Sequence, residues 1–178
     1  MRSCLLTIAA VLTLLVAPGC SGSGERDASP SPAASLTLKS LVFAYGIQAR
    51  NVLDTRNGTF TKDVILASPL TVSLQLTPGE MARIAQELER IDFFSYPREY
   101  ETPVDPSQES REAPCGLHHS YRFAVTTERG TKVVVWQDKL LNDNERAAGL
   151  RALAHLIEDM ITAKPEYLRL PPPQGGYV

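Results

Sequence analysis

The chain has 178 residues, 43% of them hydrophobic and 21% charged, with 18 basic against 20 acidic side chains and a formal net charge of −2. That balance supplies no clustered basic surface, so no nucleic-acid partner is expected. Two of the three cysteines, Cys4 and Cys20, stand at the very front, which excludes a disulfide framework inside a folded domain.

Residues 1–19 read as an export signal. Arg2 supplies the positive start, and Leu5 to Ala17 is an uncharged apolar run. The run has the length of a signal-peptide core and is too short to cross a bilayer. Ala17, Pro18 and Gly19 then lead into Cys20. This arrangement resembles the bacterial lipobox, with Ala17 where Leu is usual and Pro18 close to the cut. The resemblance implies that Cys20 becomes the first mature residue, with a diacylglycerol on its sulfur and an acyl chain on its amine. Two or more chains anchor stably where one binds only reversibly. Cys20 is therefore the expected lipidation site, and the bacterial cell envelope the expected location. Ser21, rather than Asp, favours the outer membrane facing the periplasm in a Gram-negative cell. The alternative is ordinary cleavage nearby, leaving a secreted protein with a free N-terminal thiol.

Residues 20–35 hold the lipidated cysteine and a tether. "SGSGERDASPSPAAS" is rich in Ser, Gly, Pro and Ala, cannot form a core, and reaches about 20 Å from its anchor. Removing residues 1–19 leaves 159, enough for one domain with a real core. That domain is expected over 36–164.

It opens with "LTLKSLVFAY", a partly buried strand broken by Gly46. In "RNVLDTRNGTFTKDVIL", Asn57-Gly58 signals a hairpin. A two-residue turn would set Thr55 against Phe60 and Leu53 against Lys62, with Leu53, Phe60, Val64 and Leu66 on the core face. "LTVSLQL" alternates as a one-sided strand through Leu70, Val72, Leu74 and Leu76. "TPGEMARIAQELERIDFF" begins with a Thr77/Glu80 capping box and Pro78 at the first helical position. Its buried stripe is Met81, Ile84, Ala85, Leu88 and Ile91. Phe93, Phe94 and Tyr96 are expected to plug this helix against the sheet. Tyr100 to Leu117 is a long loop of prolines and charges, the kind that is functional or mobile. "HSYRFAVTT" and "TKVVVWQD", joined at "ERG", form a second hairpin, and the apolar run of the latter suggests a central strand. A last helix over about Asp143 to Ala163 buries Leu150, Leu153, Ala154, Ile157 and Ile161, and Pro165 stops it. Residues 165–178 read as a Pro/Gly-rich tail, extended or disordered. The order strand-strand-strand-strand-helix-strand-strand-helix, joined mostly by hairpins, predicts an α+β domain. An antiparallel sheet would carry two helices on one face.

Chemistry-bearing residues are few. Cys115, His118 and His119 lie together in "PCGLHHSYRF", and a thiolate with imidazoles could hold a metal or form a nucleophilic pair. A second ligand pair is missing, and neighbouring histidines on a strand point to opposite faces. The plainer reading is a half-buried thiol beside surface histidines. No Gly-rich phosphate loop, nucleophile elbow or zinc-protease helix is present. No metal or cofactor is therefore expected, and the chain is not expected to be an enzyme. The alternative is a metal-dependent or thiol-based envelope enzyme using Cys115 and His118 or His119.

"LQLTPGEMARIAQELERIDFFSYP", the Pro- and Cys-containing loop, "YRFAVTTERGTKVVVWQD" and the closing Leu-rich helix together resemble the emfourin family. Those are small protein inhibitors of thermolysin-like metalloproteases. The stretch is similar also to a related group of bacterial lipoproteins with the same strand–helix–hairpin–helix layout. The resemblance covers roughly Leu38 to Ile161 and implies an α+β inhibitor domain whose partner is an extracytoplasmic metalloprotease. The long loop and the Asn57-Gly58 turn are the expected contact segments. A lipid-anchored, non-catalytic binding domain is thus the expected function.

Overall fold

The computed structural model describes residues 36–65, 67–103, 118–138 and 144–176. Cys20 and the tether, Leu66, Cys115 and residues 104–117 of the long loop lie outside the described residues. The strands are β1 (Leu38–Tyr45), β2 (Asn51–Asp54), β3 (Thr59–Lys62), β4 (Leu70–Ser73), β5 (Glu99–Tyr100), β6 (His119–Thr127) and β7 (Gly130–Asp138). The helices are α1 (Pro78–Arg90), α2 (Glu145–Thr162) and the short α3 (Pro165–Leu168).

One sheet has the order β4-β3-β2-β1-β6-β7-β5. Alternation along β1 and β6 puts Leu41, Phe43 and Tyr45 beside Tyr121, Phe123 and Val125 on one side. That side meets Ile84 and Leu88 of α1 and Leu150, Leu153, Ala154, Ile157 and Ile161 of α2 in a single core. The domain is α+β, with both long helices on one face of the sheet.

The sheet is mixed rather than purely antiparallel. Glu99 and Tyr100 run parallel to β7, opposite Val135 and Trp136. Val135 N–H donates to the Arg98 carbonyl at 2.7 Å, and Trp136 Nε1–H donates to Thr102 Oγ1 at 2.9 Å. A two-residue strand has no periodicity to read, so the start of the expected loop is instead a sheet edge. β7 is accordingly next to an edge, not central. Its outer side stays open, with Val135 37% exposed. The central strand is β1.

The first hairpin keeps its core face but shifts its register. Leu53 pairs with Phe60 and Asp54 with Thr59, so four residues, Thr55 to Gly58, make the turn. A shift by two positions preserves side-chain parity, which is why Leu53, Phe60 and Val64 are still buried. β4 is shorter than the alternation suggests and ends at Ser73, although Leu74 remains in the core at 1% exposure.

α1 starts as its sequence dictates. Glu80 N–H donates to Thr77 Oγ1 and Thr77 N–H to Glu80 Oε2, closing the capping box. Lys164 Nζ reaches the same Glu80 oxygen at 2.6 Å, tying the start of α1 to the end of α2. Asp92 has a left-handed backbone, φ 49°, which turns the chain so that Phe93 and Tyr96 are buried. Phe94 is a correction to the expected plug: it is 38% exposed and only edges against Phe93. Asn144 caps α2 by accepting from Arg146 and Ala147 N–H, while Tyr100 O–H donates to the same oxygen.

Pro165 both ends α2 and opens α3, since proline suits a first helical position. The expected tail folds back onto the domain as far as Gln174. Tyr167 packs against Phe60, Lys62 Nζ lies 4.5 Å above the Tyr167 ring, and Gln174 N–H donates to the Val64 carbonyl.

Candidate functional site

The best-defined exposed segment is the turn from Asp54 to Gly58. Arg56 and Asn57 are exposed at its tip. Asp54 accepts from Arg56 N–H at 2.9 Å, Asn57 N–H at 3.2 Å and Asn57 Nδ2 at 2.7 Å. A carboxylate that gathers its own turn this way fixes the backbone without help from a neighbour. Gly58 has φ +64°, and its carbonyl accepts from Leu74 N–H at 2.9 Å, pinning the turn to the chain after β4. A Cβ there would meet Gln75 at 3.2 Å. The turn is exposed at its tip and rigid at its base.

The histidines of the alternative site do not converge. His118 precedes β6 and is half-buried, while His119 opens β6, bridged to Ile47, with its side chain exposed. His119 lies on the helix-facing side in line with Tyr121, whose hydroxyl is 3.5 Å from its Nδ1. Among the described residues no group of three or more His, Cys, Asp and Glu side chains could hold a metal ion. Cys115 is outside the described residues.

The polar group that sequence reasoning missed is Glu158. Its Oε1 is buried and has no hydrogen-bond partner, the one such side-chain atom among the described residues. Burial, aided by the neighbouring Asp159, pushes its carboxyl up to about 7. Across from it, on the sheet, Tyr45 and Tyr121 have hydroxyls that burial pushes well above the usual phenol range, with Glu158 adding to the effect. Asp138 and Arg151 close the same end through a two-bond ion pair at 2.7 and 2.8 Å. The signal was present as a polar stripe, Arg151, His155 and Glu158, at helical spacing on α2. A carboxyl here can take up or release a proton near neutrality. It has no nucleophile or metal ligand set beside it among the described residues.

A cleft of about 580 Å³ opens where β5 meets β7, lined by Tyr100, Thr102, Trp136 and Gln137 among others. Trp136 Nε1–H is already committed to Thr102, so the cleft offers mainly the flanking carboxylates Glu99 and Glu101 and an apolar wall. Among the described residues no helix is long and apolar enough to cross a membrane. No family model, curated protein or solved structure matches the chain.

Proposed function

We propose that the chain is a non-catalytic binding lipoprotein of the bacterial cell envelope, tethered through lipid on Cys20. In its sharpest form it inhibits an extracytoplasmic metalloprotease of the thermolysin type, as the emfourin resemblance implies. The observation that supports this reading is the Asp54–Gly58 turn. A segment that sits in a protease cleft without being cut productively must be exposed at its tip and rigid at its base. This turn combines an exposed Arg56-Asn57 tip with three bonds to one carboxylate and a backbone tie to Leu74. Preorganisation of this kind lowers the ordering cost of binding.

The test is titration of residues 34–178 into a thermolysin-type protease. These residues form one compact unit containing the whole core. Saturable, near-stoichiometric inhibition with the domain recovered uncut supports the proposal. Replacing Arg56 and Asn57 with alanine should then weaken inhibition, and replacing Cys115, His118 and His119 together should leave it intact. No inhibition at large excess removes the inhibitor form. Loss of activity in the triple variant would move the reading to the metal or thiol alternative.

A further inference from the structure

Among the described residues the helices cover one face of the sheet, and the other face is unlike an ordinary solvated surface. Val42, Val52, Ala124, Val133 and Val135 lie on it, none of them in the core. Threonines rim the face, and two pairs of them are hydrogen-bonded to each other: Thr61 with Thr71, and Thr126 with Thr131. An apolar centre inside a polar rim is the anatomy of a protein interface. Near the centre stand two charges of opposite sign. Arg122 is exposed and has no ion-pair partner among the described residues. Asp54 bonds only neutral N–H groups of its own turn.

The register places these residues at the corners of a rectangle centred on β1. In one row Val52 pairs with Ala44 and Ala44 with Arg122; in the next, Asp54 pairs with Val42 and Val42 with Ala124. One diagonal therefore runs Val52 to Ala124 and is apolar. The other runs Asp54 to Arg122 and carries the two charges, with Cα atoms about 12 Å apart by strand spacing and rise. A half-turn about the line that lies in the sheet plane and bisects the Asp54–Arg122 diagonal at right angles exchanges the acidic corner with the basic one. The face is thus complementary to itself.

We infer that a second copy of this chain docks here, sheet face against sheet face. The two-fold axis passes over β1 at right angles to the Asp54–Arg122 diagonal, so that Arg122 of each copy stands over Asp54 of the other. A two-fold interface uses the same patch on both partners, and this patch meets that condition in shape and charge. The sheet is about 29 Å wide across its strands, and three rows of side chains give roughly 500 Å² per copy, or about 1,000 Å² in the pair. That reaches the lower limit for a specific interface and suits a reversible dimer. The inference can fail or stand apart from the protease reading, because the Arg56-Asn57 tip is not part of the docked centre, although Asp54 serves both as a docked corner and as the base of the turn.

Sedimentation velocity of residues 34–178 over a wide concentration range tests it. A reversible monomer–dimer equilibrium is expected. Arg122→Glu places like charges together twice and should weaken the dimer at least about 100-fold. Ala124→Glu, at an apolar corner of the docked centre, should do the same, while Arg83→Glu on the exposed side of α1 should change nothing. Circular dichroism and thermal melting confirm that each variant is folded. A monomer at every concentration overturns the inference. So does a dimer that both face variants leave untouched.

Discussion

Replacing Glu158 with glutamine separates the cost of its charge from its packing. Glu158 holds its proton to about pH 7 in the native state, against about 4.5 when exposed. A difference of that size corresponds to about 3 kcal/mol for a fully desolvated group. Part of the side chain meets solvent, so about 1–2 kcal/mol is the expected cost of ionising it in place. The native state binds this proton more tightly than the unfolded state. Stability attributable to Glu158 is therefore complete below about pH 4.5 and falls as the pH rises through about 7. Tyr45 of β1, Tyr121 and His119 of β6, the Asp138–Arg151 pair and Asp159 face or flank the site and are the same in both proteins. Urea unfolding of native protein and E158Q near pH 5 and near pH 8 is the assay. The two should be close in stability at the lower pH, and E158Q the more stable at the higher pH by about 1–2 kcal/mol. An equal difference at both pH values, or a less stable E158Q at the higher pH, would refute the assignment of a buried, unpartnered carboxyl.

Gly58→Ala should cost about 1–2 kcal/mol in urea unfolding, because the residue must hold φ +64° and its new methyl meets Gln75. The same variant should weaken protease inhibition if the turn is the contact segment. Asp138→Asn breaks a two-bond pair whose carboxylate is only 5% exposed, leaving Arg151 without its full counter-charge. It should lower stability by about 2 kcal/mol, seen as a shift in the urea midpoint with an unchanged slope.

Much of this fold is legible in the sequence where one local rule decides. The α1 start needed only Thr77, Pro78 and Glu80 in order, and the capping bonds form between those residues alone. The buried stripe of α2 and the inward side of β6 follow from spacing, which tertiary contacts do not alter. The turn at Asn57-Gly58 was located but not typed. The choice between two and four loop residues depends on Asp54 gathering the turn, and Asn57 does not adopt the positive φ that the shorter turn needs.

The sequence by itself determined the α+β class, the capped start of α1 and most of the residues that face the core, with Leu70, expected inside, 38% exposed. The reason is that periodicity and capping are local and strong. Only the tertiary structure decided that a two-residue strand makes the sheet mixed, that Phe94 stays outside, and that residues 165–174 return to the domain. Each depends on partners far along the chain. The same holds for Glu158, whose raised proton affinity comes first from its burial, and for the Asp54–Arg122 diagonal. That diagonal exists only because β2, β1 and β6 are neighbours in one register.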